Sequence, residues 1–351
     1  MRETDFINLE QSKKKIIFDA VSDKTGLPPQ AIEKDWWVTL ILKNVFSLGI
    51  KNKIQFKGGT SLSKCWHIID RFSEDIDLAI DREFLGFGGE LSKNQISDKL
   101  RRKSKEYIIQ SFLPALQEQL RKQGVSDRLI ISTNANDIST QDPIQIYLEY
   151  KSIYGDDEYI RPVVMLEVSG RSNDICLAQI KIDSIINESL PDKKFETRKI
   201  SVTAVRPERT FIEKICLLHE EFSKSEEKMR HLRMSRHLYD IYKMCDFGID
   251  KIALRNENLF TEIIRHRFKF NRIDGVDYNT ERPGQFNIVP PVSVIKLWEK
   301  DYNLTMSNMI FSNDKPSFES MLKRIKELNE SLNRLQWKTV PDFSKGNQPK
   351  R

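Results

Sequence analysis

Cysteine is scarce in this chain of 351 residues: there are four, and none stands in a CxxC spacing. Cys65, Cys176, Cys216 and Cys245 are scattered, which argues against a disulfide framework or a cysteine zinc site and suits a reducing cytoplasm. The five histidines contain no HExxH pattern, so the zinc-protease signature is missing too. Long hydrophobic runs are absent. The most apolar stretch near the front, WWVTLILKNVF, is too short to cross a bilayer and is interrupted by Thr39 and Lys43. The opening MRETDFINLEQSKKK is polar and charged, with no apolar core, so no secretory signal is expected. No internal repeat is visible.

What is present is a soluble globular composition, 39% hydrophobic and 31% charged, with length for one large core or two smaller ones. The net charge of +6 is a weak pointer to a polyanionic partner. Its distribution says more. The runs KLRRKSK (99–105), KMRHLRMSRH (228–237) and RHRFKFNR (265–272) gather positive charge in helical patterns, with Tyr239, Phe268 and Phe270 nearby. Each run alone reads as a solvated helix face; three together raise nucleic acid as a partner.

The spacing predicts helices over 4–22 and 29–48, with Pro29 in the first turn of the second. A short strand KIQF (53–56) follows, then a turn into a helix from about Thr60. A long helix is expected over 90–123. RLIISTN (128–134), IQIYLEY (144–150), RPVVMLEV (161–168) and KISVTAV (199–205) read as strands; 176–187 is ambiguous. From Pro207 the period becomes helical, with helices expected at 207–222, 230–245, 250–268, 291–302 and 315–336. The expected fold class is α+β, a mixed sheet with flanking helices followed by a helical C-terminal region. The expected domains are 1–206, 207–340 completing the active-site cleft, and a flexible basic tail at 341–351.

The chemistry concentrates in FKGGTSLSKCWHIIDRFSEDIDLAI (56–80). Gly58 and Gly59 let the backbone approach a ligand, and free N–H groups at a helix start favour an anion. Thr60 and Ser61 add hydroxyl donors, and Lys64 follows one turn later; a plain strand-to-helix turn with Thr60 as its cap is the bland alternative. EDIDLAI alternates strictly, so Asp75 and Asp77 share one side and Ile76, Leu78 and Ile80 the other. Two carboxylates that close repel unless a divalent cation lies between them, and Mg²⁺ takes a few carboxylates plus phosphate oxygens. A third acid is expected from a neighbouring strand. Glu167 in VVMLEV is the first choice; Glu149 and Asp183 compete.

FKGGTSLSKCWHIIDRFSEDIDLAI, then VRPERTFIEKICLLHE (205–220), then SRHLYDIYKM (235–244) together resemble the nucleotidyltransferase toxins of the abortive-infection AbiEii/AbiGii type. These belong to the DNA polymerase β-like nucleotidyltransferase superfamily. The resemblance spans roughly residues 30 to 245, with the motifs in order. It implies a polymerase β-like fold and places Gly58, Gly59 and Ser61 at the triphosphate. Asp75 and Asp77 would hold the metal, Mg²⁺ or Mn²⁺. Lys214 in RTFIEK would meet the nucleotide's phosphates, and Asp240 in HLYDIY would be a later catalytic aspartate. Arg209 and His237 are further candidates for phosphate or base contacts. Read from their surroundings alone, Lys214 could be a surface lysine and Asp240 a partner of Lys243 or Arg236.

The expected reaction is transfer of a nucleotide from an NTP to an RNA hydroxyl, with loss of pyrophosphate. The resemblance narrows the acceptor to the 3′ end of tRNA and implies an antitoxin encoded nearby and a role in phage defence. Two alternatives stay open: a DxD glycosyltransferase using a nucleotide sugar, and an inactive RNA-binding protein. Ser73, two positions before Asp75, is a candidate regulatory modification site: a phosphate would set a charge of about −1.5 to −2 beside the acids.

Overall fold

The structure is a computed structural model that describes residues 6–343, apart from 74, 156–159, 173–174, 192–198, 307–308 and 312–313. The chain falls into two compact units, Met1–His67 with Phe72–Val205, and Ile68–Arg71 with Arg206–Arg351. The tail expected to be flexible lies, from 344 on, outside the described residues. Phe343, at its start, packs on Phe268 with ring centroids 4.4 Å apart.

The first unit opens with helices Gln11–Thr25 and Pro29–Val45. Pro29 sits at the second helix's start, where its missing N–H costs nothing. Then come β1 (Ile54–Lys57), a helix Gly58–Lys64, β2 (Asp75–Asp81) and a long helical stretch at 95–122. That stretch is not uniform: wider π-type turns at Gln95–Leu100 and Ile108–Phe112 alternate with α-helix. β3 (Leu129–Thr133), β4 (Ile144–Tyr150), β5 (Val163–Ser172), β6 (Leu177–Ile182) and β7 (Ile200–Val205) complete the sheet. The ambiguous segment thus divides into β6 and a short helix, Ile185–Ser189, capped by the Ser184 hydroxyl.

The seven strands form one mixed sheet in the order β3-β4-β5-β2-β1-β7-β6. β2 is antiparallel to β1 and parallel to β5; β4 is antiparallel to both β3 and β5. Alternation gives the sheet two different faces. Ile76, Leu78, Leu166, Val168, Ile146 and Leu148 are fully buried on one. The other carries Asp75, Asp77, Glu167, Gln145 and Tyr147, all half-buried. A strand with one apolar and one polar face cannot slip by a single residue without inverting both, so the register is strongly specified.

The second unit is helical: Pro207–Phe222, Ser235–Asp246, Ile249–Leu254, Glu257–Phe270, Ile295–Asp301 and Phe318–Asn333. The helix expected over 250–268 is two, because Asn256 caps a new start by accepting from the Leu259 N–H. The one expected from 230 begins at Ser235. Arg233 takes φ 58, and Asp301 accepts from the Arg233 and Ser235 N–H groups, ending the preceding loop there.

Several cations of the three basic runs find partners within the fold. Arg102 and Lys103 pair with Asp98 and Glu106 on their own helix, and Lys105 donates to the Asn136 and Ile138 carbonyls. Arg230 grips Glu221, and Arg267 grips the buried Glu220 through two nitrogens. Arg272 lies over the Phe268 ring at 5.0 Å. Charge read along the chain therefore overstates what these runs offer a polyanion.

Candidate active site

The residues singled out from the sequence gather in two clusters, one in each unit. In the first unit, β2 and β5 run in parallel with Asp77 opposite Glu167 and Asp75 opposite Met165. Residues two apart share a side, so the three carboxylates stand together on the polar face. Glu167 makes no hydrogen bond or ion pair among the described residues. Its competitors stand elsewhere. Glu149 is on β4 opposite Val163, with β5 between it and β2. Asp183 follows β6 and accepts from the Ser184 N–H and Asn187 Nδ2.

The glycine turn lies against these acids. Gly58 has φ +77, and a Cβ there would lie 1.8 Å from Asp77 Oδ2, so both conformation and space demand glycine. The helix starts at Gly58, not at Thr60, and Thr60 is no cap. Its buried hydroxyl donates to the Asp75 carbonyl at 2.6 Å and lies 3.0 Å from the Ser73 hydroxyl, tying the turn to the start of β2. Ser61 is buried beside the Cys65 thiol, which burial pushes up to about 12, far from a thiolate. Lys64 forms an ion pair with Asp35, whose other oxygen accepts from the Ile185 N–H. The accessible part of the turn is thus Gly58 and Gly59, both half-buried, while Thr60, Ser61 and Lys64 face inward.

Among the described residues, no three His, Cys, Asp or Glu side chains form a ready-made metal cage. Asp75 and Asp77 offer a smaller set of oxygen donors. That fits Mg²⁺, which retains water and takes substrate phosphate oxygens beside one or two carboxylates.

The second cluster centres on Asp240, which has no exposed side-chain surface. Arg71 donates to both its oxygens, at 2.6 and 2.8 Å, and Lys214 Nζ lies 2.8 Å from Oδ2. Burial alone would raise this carboxyl, but the Arg71 and Lys214 charges outweigh it and hold the group well below the usual range. Burial also lowers the Lys214 ammonium, and nearby Arg71 and Arg236 add to that against the pull of Asp240. His237 Nδ1 faces Lys214 Nζ at 3.4 Å. Loss of water together with the Lys214 and Arg236 charges pushes its imidazole well below the usual value. Lys243, an expected partner for Asp240, pairs with Asp70 instead. Arg209 is buried and bonded to Glu213 at 2.9 Å.

Arg71 was invisible to sequence reasoning. It lies 169 residues from Asp240, and nothing local marks it. Its backbone explains the placement: Arg71 bridges to Ile310 and the Asp70 carbonyl accepts from the Phe311 N–H, so Ile68–Arg71 packs with the helical unit.

The family model described as "Nucleotidyl transferase AbiEii toxin, Type IV TA system" matches residues 42–324. A search of curated proteins returns no match. Among solved structures, MenT4, a nucleotidyltransferase toxin from Mycobacterium tuberculosis, is similar at 12% identity and a TM-score of 0.46, over 91% of this chain and 90% of its own. JHP933 from Helicobacter pylori is similar at 13% identity and a TM-score of 0.44, over 88% and 93%.

Proposed function

The chain belongs to the AbiEii nucleotidyl transferase toxin family of type IV toxin–antitoxin systems, and from that premise we propose that it transfers a nucleotide from an NTP to the 3′ end of tRNA. The observation that carries this reading is the grouping of Asp75, Asp77 and Glu167 on one sheet face, with the Gly58 backbone against the Asp77 carboxylate. Family membership decides against the glycosyltransferase alternative.

Gly58 and Gly59 open the backbone at the triphosphate. Asp75 and Asp77 would hold Mg²⁺ or Mn²⁺, which when bound supplies charge neutralisation on the phosphates. Glu167, whose side chain has no partner among the described residues, takes the proton of the attacking acceptor hydroxyl. That oxygen forms a bond to the α-phosphorus as the bond to the β-phosphate oxygen breaks, and pyrophosphate departs. Lys214, with Asp240 and Arg71 fixing its ammonium, engages the nucleotide's phosphates. Arg209 and His237 serve beside it. Thr60 and Lys64, held by Asp75 and Asp35, position the turn at the nucleotide. Blocking the tRNA end in the cytoplasm would halt translation, consistent with a toxin acting in phage defence and restrained by a cognate antitoxin.

The test is to incubate the intact chain with Mg²⁺, total tRNA and each α-labelled NTP in turn, beside Asp75→Asn/Asp77→Asn. Label should move to the tRNA 3′ end and fall by at least roughly 100-fold in the variant. Equal labelling by both proteins, or no labelling of any RNA by a correctly folded chain, would overturn the proposal.

A further inference from the structure

The polar sheet face continues beyond the three acids. Asp75 on β2, Met165 on β5 and Tyr147 on β4 form one row across the strands. Two residues along, Val163, Glu149 and Ile130 form the next row, on β5, β4 and β3. Over that second row opens a groove of about 740 Å³. Strand spacing and rise set Val163 on the order of 8 Å from Asp75. The groove and the acids therefore share one face of one sheet.

Three cations line the groove: Arg128, Lys151 and Arg161. The Lys151 and Arg161 side chains are exposed and have no hydrogen bond or ion pair among the described residues. Arg128 donates only to Asn8, a neutral partner, at 3.0 Å. Asp127 and Glu149 also line the groove, so the described lining residues carry one positive charge in excess. None of these cations belongs to the three basic runs of the sequence. Ile130, 71% exposed, and Val163 supply an apolar surface beside them. Unpaired cations alongside exposed apolar surface suit a single nucleic-acid strand, whose phosphates and base faces need one of each. An acidic peptide would use the cations too, but would not call for a groove on the catalytic face.

We propose that this groove holds the single-stranded 3′ segment of the RNA acceptor, with phosphates on Lys151, Arg161 and Arg128 and a base or ribose over Ile130 and Val163. The inference rests on Asp75, Asp77 and Glu167 being the reacting centre, since a strand whose end reaches them leaves along this face. Glu149 accepts from a 2′-hydroxyl or a base amino group.

The test measures binding of fluorescently labelled bulk tRNA to the full chain without NTP, by anisotropy across a range of salt. Lys151→Ala/Arg161→Ala should weaken binding by about tenfold or more. The slope of log K against log salt should shrink by about 1.4, two single-strand phosphate contacts. NTP binding and melting temperature should stay unchanged. Unaltered tRNA affinity and slope would overturn the proposal, as would a loss confined to NTP binding, which would assign the groove to the nucleotide. An affinity loss with no change in slope would overturn the phosphate assignment. Asp75→Asn/Asp77→Asn separates the two readings. If it binds tRNA as the intact chain does while no chain transfers label, the groove stands and the transfer reading falls. If transfer is robust and the groove variant keeps its KM for tRNA, the groove falls alone.

Discussion

In the first unit Asp75, Asp77 and Glu167 stand half-buried on an open sheet face, whereas in the second Asp240 is fully buried in the grip of Arg71 and Lys214. Both clusters set acids beside backbone or cations, yet their energetics point in opposite directions. On the proposed function the sheet acids are the ones that meet an exchangeable cation and phosphates. Asp240 already has its counter-charges, so it contributes to folding and to the aim of Lys214. On the proposed function, burial separates a motif residue that acts at the reaction from one that acts on the group that does.

The sharpest way to break that contrast is to neutralise one acid of each kind. Asp240→Asn leaves Arg71 and Lys214 buried without a carboxylate and should cost about 3–5 kcal/mol. Asp77→Asn should cost clearly less stability, because Asp77 is half-buried where Asp240 is fully buried, while transfer collapses. Urea unfolding of the two variants, beside transfer assays, checks this; equal destabilisation would erase the distinction.

A second, somewhat smaller effect concerns pH and is specific to the helical unit. His219 is buried, accepts from the Asn287 N–H at Nδ1 and lies 2.9 Å from the Thr280 hydroxyl. Burial pushes its imidazole down to about 4. A depressed folded value means its contribution is full above the unfolded pKa of about 6.5 and is lost as pH falls towards 4, amounting to about 3 kcal/mol. His219→Gln should flatten the acid limb of unfolding free energy between those values. An unchanged limb would remove His219 from the account.

The smallest effect on stability is expected at Ser73, beside the open acids. Ser73→Glu should change stability by less than about 1 kcal/mol, because the site is half-buried. Transfer should nonetheless fall at least roughly tenfold, as added charge opposes phosphate binding. Full transfer by this variant would end the modification reading of Ser73.

The strands and helices were legible because their periods are strong. IQIYLEY matches β4 residue for residue, and the helix from Pro207 ends at Phe222 as its apolar spacing predicts. Boundaries went astray where a distant or irregular group decides them, as where Asp301 accepts from the loop before Ser235. The internal contacts of Thr60 and Lys64 were hidden for a related reason. A hydroxyl or ammonium after a glycine turn looks available along the chain, but Asp75 and Asp35 claim them in the fold.

The sequence alone carried the two faces of β2 and the family to which the ordered motifs belong. These are local properties, since alternation and short spacing act within one or two elements. The tertiary structure decided that Glu167 stands beside Asp77, that Arg71 holds Asp240 across 169 residues, and that Lys151 and Arg161 are exposed at the groove. Each depends on which strands pair and in what register, and on which charges meet a counter-charge, and those are settled only when distant segments pack.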